Sequence, residues 1–154
     1  EADWGAFGIQ ICYDVEFPIG AALLCKHGAG LILAPSCTET IRGATRVHVG
    51  ARARALENQC FVAVAQTVGD ASWSPAVDIN YGFAAIYCTP DLHLPEEGIV
   101  AQLAPQQPGW LTQELDFEKI RTVRREGQVF NYKDMQRLDF RLDESPVRLV
   151  RVPL

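Results

Sequence analysis

Residues 6–13 read AFGIQICY, a short apolar run rich in β-branched and aromatic side chains, and this pattern predicts a buried strand. Two later runs predict strands in the same way: 31–34 (LILA) and 61–68 (FVAVAQTV). Helices are predicted between them at residues 18–27 and 45–58, with a loop at residues 40–43. Because parallel neighbours need a crossover, this β-α-β-α-β order predicts an α/β fold with parallel strands.

The second half of the sequence changes style. Short strands are predicted at residues 81–88, 99–103 and 110–115. The loops between them are too short for helices, so these strands should pair antiparallel. Asp116 is a suitable cap for a helix at residues 117–126, which Gly127 would end. Residues 128–154 show no core pattern and are predicted to form an extended C-terminal tail. Without a repeat or linker, residues 1–154 are interpreted as a single domain.

Composition excludes several classes of function. The chain has 154 residues, with 14 Lys+Arg against 19 Asp+Glu and a net charge of -5, so the clustered basic face that nucleic acids require is missing. No apolar run approaches the roughly 18 residues of a membrane span. Five cysteines and three scattered histidines show no zinc spacing, so neither a metal site nor a cofactor is predicted. An odd cysteine count without a framework favours a reducing, cytoplasmic location.

Cys12 is the candidate nucleophile. It stands at the end of the first predicted strand, and loops at the carboxyl ends of parallel strands form the ligand crevice of open α/β sheets. Thr38 and Glu39 follow the second strand, so they are candidate pocket residues on the same argument. The alternative is that Cys12 is a buried apolar residue like Cys60 and Cys88.

Two long motifs carry a family resemblance. G-I-Q-I-C-Y-D-V-E-F-P at residues 8–18 resembles the nucleophile motif of the nitrilase superfamily of carbon-nitrogen hydrolases. R-A-R-A-L-E-N-Q-C-F-V-A-V-A-Q-T-V-G at residues 52–69 is similar to the second hallmark of that family. The loop wording T-E-T-I-R-G-A-T-R-V at residues 38–47 resembles a branch often fused behind an N-acetyltransferase domain.

The resemblance implies a fold and a chemistry. The chain would be the C-terminal portion of a four-layer α-β-β-α nitrilase-like sandwich with a Glu-Lys-Cys triad, hydrolysing a small-molecule amide or nitrile through a thioester. Cys12 would be the nucleophile, with the Tyr13 backbone N–H stabilising the oxyanion. The family's glutamate and lysine precede its cysteine, where this chain has only eleven residues, so the isolated chain is expected to be inactive.

The resemblance also implies partners. Homodimers are expected through the helices at residues 18–27 and 45–58, together with contact to the N-terminal half of the same domain. Three alternatives stay open from the sequence: a catalytically dead scaffold or interaction domain, a thiol redox sensor using Cys12, and a Cys-His dyad with His27, His48 or His93. Arg52 and Arg54 are interpreted either as solvated residues that make ion pairs on their helix or as residues at a subunit contact. Glu57 and Asn58, which match the family motif, are interpreted as residues that satisfy a helix end.

Overall fold

The sheet places the first three strands in parallel. A computed structural model of the chain describes residues 2–137. Its strands, in both spatial and chain order, are β1 (Ala6–Ile9), β2 (Ala29–Ser36), β3 (Phe61–Gln66), β4 (Ala85–Tyr87) and β5 (Ile99–Gln102). β1, β2 and β3 pair in parallel, whereas β4 and β5 continue the sheet antiparallel. The α/β class and the change to antiparallel pairing in the second half are therefore confirmed.

Within residues 2–137, four α-helices and one 3₁₀ turn surround this sheet. They are the Cys12 turn (Cys12–Glu16), α1 (Pro18–Lys26), α2 (Ile41–Asn58), α3 (Phe117–Glu126) and α4 (Asn131–Met135). Pro18 opens α1, where its missing N–H is not needed. Thr40 caps α2, since its side-chain oxygen accepts from Gly43 N at 3.1 Å. Asp116 caps α3 in the same way, accepting from Glu118 N at 2.9 Å.

The core lies on both faces of the sheet. Ile32 and Val62 pack against α1 and α2 on one face, where small residues such as Ala51 and Ala55 allow the helices to approach closely. Their strand neighbours point to the opposite face, where Leu31 and Phe61 pack against Ile120 of α3. α1 and α2 together thus fix one face of the parallel strands, from whose carboxyl ends the candidate site projects.

Several predicted elements differ from the structure, among them residues 81–88, of which only Ala85–Tyr87 forms a strand. The strand predicted at residues 6–13 ends at Ile9, because the chain turns into the Cys12 turn. Residues 40–43, predicted as a loop, already contain the start of α2 at Ile41. Residues 110–115 form no strand, and Trp110 is 96% exposed, so the apolar pattern there did not reflect burial.

The C-terminal tail also differs from its prediction where it is described. Within residues 128–154, expected to be extended, Asn131–Met135 forms the helix α4. Gln59, at the end of α2, accepts from Tyr132 N at 3.1 Å and donates to the Val129 carbonyl at 3.1 Å, which ties this segment to the body of the chain. Residues 138–154 lie outside the described residues. Within residues 2–137, no helix has the length and apolarity to span a bilayer.

Candidate active site

Cys12 lies just beyond β1, in a strained backbone conformation. Its φ is 50°, in the left-handed region that costs a non-glycine residue about 1–2 kcal/mol. Such strain persists only where the surroundings enforce it, and it clusters at functional sites. The Cys12 side chain is half-buried, and its Sγ donates to the carbonyl oxygen of Cys37 at 3.5 Å.

The two acidic residues that follow Cys12 in sequence are engaged elsewhere. The Asp14 carboxylate accepts from Ile11 N at 3.1 Å, which helps close the Cys12 turn. Glu16 forms an ion pair with Arg46 of α2, with 3.6 Å between Nε and Oε1. Both carboxylates therefore act in holding the turn.

Helix α2 packs against the Cys12 turn. Val15 is fully buried, and a Cβ on Gly50 would lie 2.9 Å from the Val15 carbonyl oxygen, so only glycine allows this approach. Arg54 donates from Nη1 to the same oxygen at 3.1 Å. Its Nε and Nη2 donate to the two carboxylate oxygens of Glu57, each at 2.8 Å. This bidentate pair orients the guanidinium of Arg54, a residue that is only 5% exposed.

These contacts decide between the interpretations of the helix residues. Arg54 makes an ion pair within its own helix, as one interpretation expected, but it is buried against the Cys12 turn rather than solvated. Arg52 is exposed and donates to the Glu97 carbonyl at 3.0 Å. Glu57 pairs with Arg54, and Asn58 donates to the Arg54 carbonyl at 3.0 Å, as expected of a residue that satisfies a helix end. Sequence analysis did not single out Gly50, although a glycine inside an amphipathic helix is a signal of close packing.

The loop after β2 meets the nucleophile. Cys37, the first residue beyond β2, supplies the carbonyl that Cys12 contacts, and Thr38 follows it. Thr38 is partly buried, and its hydroxyl donates to the Tyr81 carbonyl at 2.7 Å, while Tyr81 N donates to the Thr38 carbonyl at 2.7 Å. Glu39 is exposed. The structure thus places Thr38 one residue beyond the carbonyl that Cys12 contacts, with its hydroxyl engaged.

The loop that carries Asn80 is hydrogen-bonded to the loop after β2. Asn80, which is 5% exposed, accepts from the Cys37 thiol at 3.2 Å and from the Thr67 hydroxyl at 2.8 Å. Its amide donates to the carbonyls of Gly69 and Val77 at 3.0 and 2.7 Å. Asn80 was not among the predicted site residues, because a single asparagine in a loop carries no sequence pattern.

The histidines show no dyad with Cys12. Both ring nitrogens of His48 are engaged, Nε2 with Gln66 Oε1 at 2.7 Å and Nδ1 with the Tyr87 hydroxyl at 2.8 Å. Burial lowers the pKa of His48, an effect that the bond to Gln66 partly offsets. His27 and His93 are exposed, at the end of α1 and in the loop before β5. Among residues 2–137, no group of three or more His, Cys, Asp or Glu side chains could hold a metal ion.

Two of the buried cysteines, Cys60 and Cys88, differ from Cys12. Cys60 is fully buried, and a hydrogen bond with Cys25 together with burial raises the pKa of its thiol. Cys88 is 2% exposed, and burial raises the pKa of its thiol to about 11. A thiol is reactive as the thiolate, so these two are inert structural residues. Cys12 is more accessible than either.

The fold and the site define an α/β protein with a strained, accessible cysteine at the carboxyl edge of its parallel strands. The family model described as "Carbon-nitrogen hydrolase" matches residues 1–125. The chain therefore belongs to the carbon-nitrogen hydrolase family, within the nitrilase superfamily.

Curated relatives agree with this assignment. "Probable hydrolase YhcX" of Bacillus subtilis is 36% identical over 137 residues, covering 89% of this chain and 27% of the relative. "Deaminated glutathione amidase" of Homo sapiens is 30% identical over 129 residues, covering 84% of this chain and 36% of the relative. The matched part of the chain spans 27% and 36% of the length of these two curated relatives.

Solved structures share the fold. Nit3 of Saccharomyces cerevisiae, a member of branch 10 of the nitrilase superfamily, superposes with a TM-score of 0.54 at 28% identity, covering 77% of this chain and 40% of the other. A mutant amidase from Nesterenkonia sp. AN1 gives a TM-score of 0.56 at 25% identity, covering 76% of this chain and 40% of the other. That amidase carries the acetamide moiety of fluoroacetamide, covalently added at its active-site cysteine. The expected α/β nitrilase-like fold is confirmed.

Proposed function

We propose that Cys12 is the nucleophile of an enzyme that hydrolyses a non-peptide carbon-nitrogen bond of a small molecule. The observation that carries the proposal is the strained φ of 50° at an accessible cysteine, at the carboxyl edge of parallel strands. The covalent addition at the active-site cysteine of the Nesterenkonia amidase supports a nucleophilic role for a cysteine of this family.

The mechanism follows from nucleophilic catalysis. Cys12 Sγ attacks the carbonyl carbon of an amide, and ammonia or an amine leaves as the thioester forms. Water then attacks the thioester, releasing the acid and restoring the thiol. The first N–H groups of a helical turn have no partner within it, so the Tyr13 N–H is free to bind the developing oxyanion. Thr38 and Glu39 line the wall and edge of the pocket that receives the substrate.

The substrate class is an amide rather than a nitrile. Sequence analysis left both open, and amidases among the similar proteins favour the amide. No cofactor takes part in the mechanism. The protein acts in the cytoplasm, as its free thiols favour. A fusion to an N-acetyltransferase domain stays a prediction.

The glutamate and lysine of the family's triad must come from residues that precede Cys12. Residues 1–11 include one glutamate, Glu1, and no lysine. We therefore propose that these 154 residues need the N-terminal half of the domain for activity. An apolar surface is available for that half: Phe7 and Leu33 are half-buried, and Ile9 is 55% exposed, on the sheet face opposite α1 and α2.

The active protein is a homodimer that pairs through α1 and α2. Both helices carry exposed large apolar side chains, Ile19 and Leu23 on α1 and Val49 on α2, which are 64%, 53% and 62% exposed. Sedimentation velocity across a concentration series tests this assembly. A stable monomer at high concentration would contradict it.

The test of the activity measures ammonia release from small aliphatic amides. The protein is expressed with whatever sequence precedes Glu1 in its gene, and wild type is compared with Cys12→Ala and Cys37→Ser. Hydrolysis should be lost in Cys12→Ala and kept in Cys37→Ser, because only the first removes the nucleophile. Absence of hydrolysis in wild type across the panel would favour the catalytically dead scaffold, and selective reversible oxidation of Cys12 would favour the redox sensor.

A further inference from the structure

A chain of hydrogen bonds runs from the sheet interior to Thr38, in the loop that Cys12 contacts. The buried Tyr87 hydroxyl donates to His48 Nδ1 at 2.8 Å, and His48 Nε2 bonds to Gln66 Oε1 at 2.7 Å. Gln66 Nε2 then donates to the Thr38 hydroxyl oxygen at 3.4 Å, and that hydroxyl donates to the Tyr81 carbonyl at 2.7 Å. We call these residues the His48 chain.

The donor and the acceptor of every hydrogen bond in the His48 chain can be assigned. The backbone N–H of Phe83 donates to Gln66 Oε1 at 3.1 Å, which marks that atom as the amide oxygen. His48 Nε2 must therefore carry the proton, and Nδ1 must accept from Tyr87. The Phe83 ring stacks on the imidazole at 3.7 Å between centroids, and a Cβ on Gly82 would collide with the Gln66 side chain. The imidazole and the amide are thus held from several sides.

The end of the His48 chain lies next to the nucleophile. Thr38 follows Cys37, whose carbonyl oxygen accepts from Cys12 Sγ. We propose that His48 is a positioning residue for the reaction at Cys12: as the neutral Nε2–H tautomer it orients Gln66, which holds Thr38 and thereby the Cys37 carbonyl that directs the sulfur. This inference rests on the proposed function, in which that sulfur is the nucleophile.

Stability alone gives little reason for such a chain. A buried hydrogen bond contributes only about 0.5–1.5 kcal/mol net, and apolar side chains of similar shape can replace both partners at little cost. A satisfied polar network does, however, specify one geometry and rigidify it. The His48 chain ends at Thr38, one residue from Cys37. The property that the His48 chain controls is therefore the geometry of the loop beside Cys12.

The first test compares alkylation of Cys12 by iodoacetamide in four forms of the protein, each expressed with any preceding sequence. His48→Phe keeps an aromatic ring against Phe83 but removes both hydrogen bonds. His48→Gln restores a side-chain donor toward Gln66. Val47→Ala is the matched control, since Val47 is the neighbouring residue of α2, is 1% exposed and belongs to the core rather than to the His48 chain.

The expected result separates positioning from loss of stability. Cys12 alkylation should rise at least threefold in His48→Phe, because the sulfur is no longer held against the Cys37 carbonyl, and should stay within twofold of wild type in His48→Gln and Val47→Ala. Cys25 and Cys60, both fully buried, should stay unlabelled, since they would react only if the fold opened. An unchanged Cys12 rate in His48→Phe, or an equal rise in Val47→Ala, would overturn the proposal.

Two further measurements complete the test. The ¹⁵N shifts of the His48 ring at neutral pH should report the Nε2–H tautomer, and the Nδ1–H tautomer or an imidazolium would overturn the proposal. In amide hydrolysis, kcat should fall at least tenfold in His48→Phe while KM stays within twofold. If wild type hydrolyses no amide, the proposed function fails, but the alkylation rates and the tautomer still decide the role of His48.

Discussion

Replacing Arg54 by methionine should loosen the Cys12 turn at a large cost in stability. Arg54 is 5% exposed and is held by Glu57 while it donates to the Val15 carbonyl. Arg54→Met leaves that carbonyl buried without this donor, which costs about 1–3 kcal/mol. It also leaves Glu57 without its cation, and breaking a buried pair typically costs about 3–5 kcal/mol. Because the Glu57 side chain is 29% exposed, water offsets part of this, and we expect a total loss of about 3 kcal/mol.

The assay is urea unfolding followed by circular dichroism, with Arg52→Met as the matched control. Arg52 lies on the same helix, is exposed and makes a single bond to the Glu97 carbonyl, so its replacement should cost within about 0.5 kcal/mol. Glu57→Gln alone should cost about 1 kcal/mol, and the double variant with Arg54→Met should lose less than the sum, by about 1 kcal/mol. The reasoning would be refuted if Arg54→Met cost no more than Arg52→Met, or if the two changes at Arg54 and Glu57 were additive.

Three further predictions concern the same region. The left-handed backbone at Cys12 costs a non-glycine residue about 1–2 kcal/mol, and glycine loses about 0.4–1 kcal/mol of this advantage because its unfolded chain is freer. In urea unfolding, Cys12→Gly should therefore be about 0.5–1 kcal/mol more stable than Cys12→Ala. A more stable alanine variant would show that the turn is unstrained. Gly50→Ala should destabilise by about 1–2 kcal/mol, because a Cβ 2.9 Å from the Val15 carbonyl overrides the gain in helix propensity, and stabilisation would disprove this contact. Burial lowers the pKa of His48 below its usual 6.5, so the unfolded chain takes up a proton at His48 at a higher pH than the folded chain does. The free energy of unfolding should therefore fall as the pH drops below about 6.5, by at most about 1.4 kcal/mol per pH unit. His48→Gln should remove this part of the pH dependence in unfolding from pH 7.5 to 5.5, whereas parallel curves would contradict the assignment.

Local signals were sufficient for much of the fold. Helix α3 was predicted at its observed bounds, because an aspartate cap and a terminal glycine lie in the sequence itself. The order of β1, β2 and β3 followed from apolar runs separated by helices, and the crossover rule then made them parallel.

The geometry of the site depends on contacts that are remote in sequence. β1 ends early because the Cys12 turn is held by Gly50 and Arg54, some 40 residues further along the chain. Asn80 bonds to Cys37 across 43 residues, and His48 bonds to Gln66 across 18 residues. No periodicity or spacing encodes such links, so sequence analysis placed Cys12 and Thr38 near one another but could not predict what holds them.

The central claim is that Cys12 is a nucleophile activated by residues that precede it. Intact and peptide mass spectrometry after brief exposure to iodoacetamide at neutral pH tests this most directly, on the 154-residue chain and on the protein with whatever precedes Glu1 in its gene. We predict selective alkylation of Cys12 over Cys37 in the longer form only. Equal and slow reaction of Cys12 in both forms would contradict the claim and favour a scaffold that has kept the fold without the chemistry.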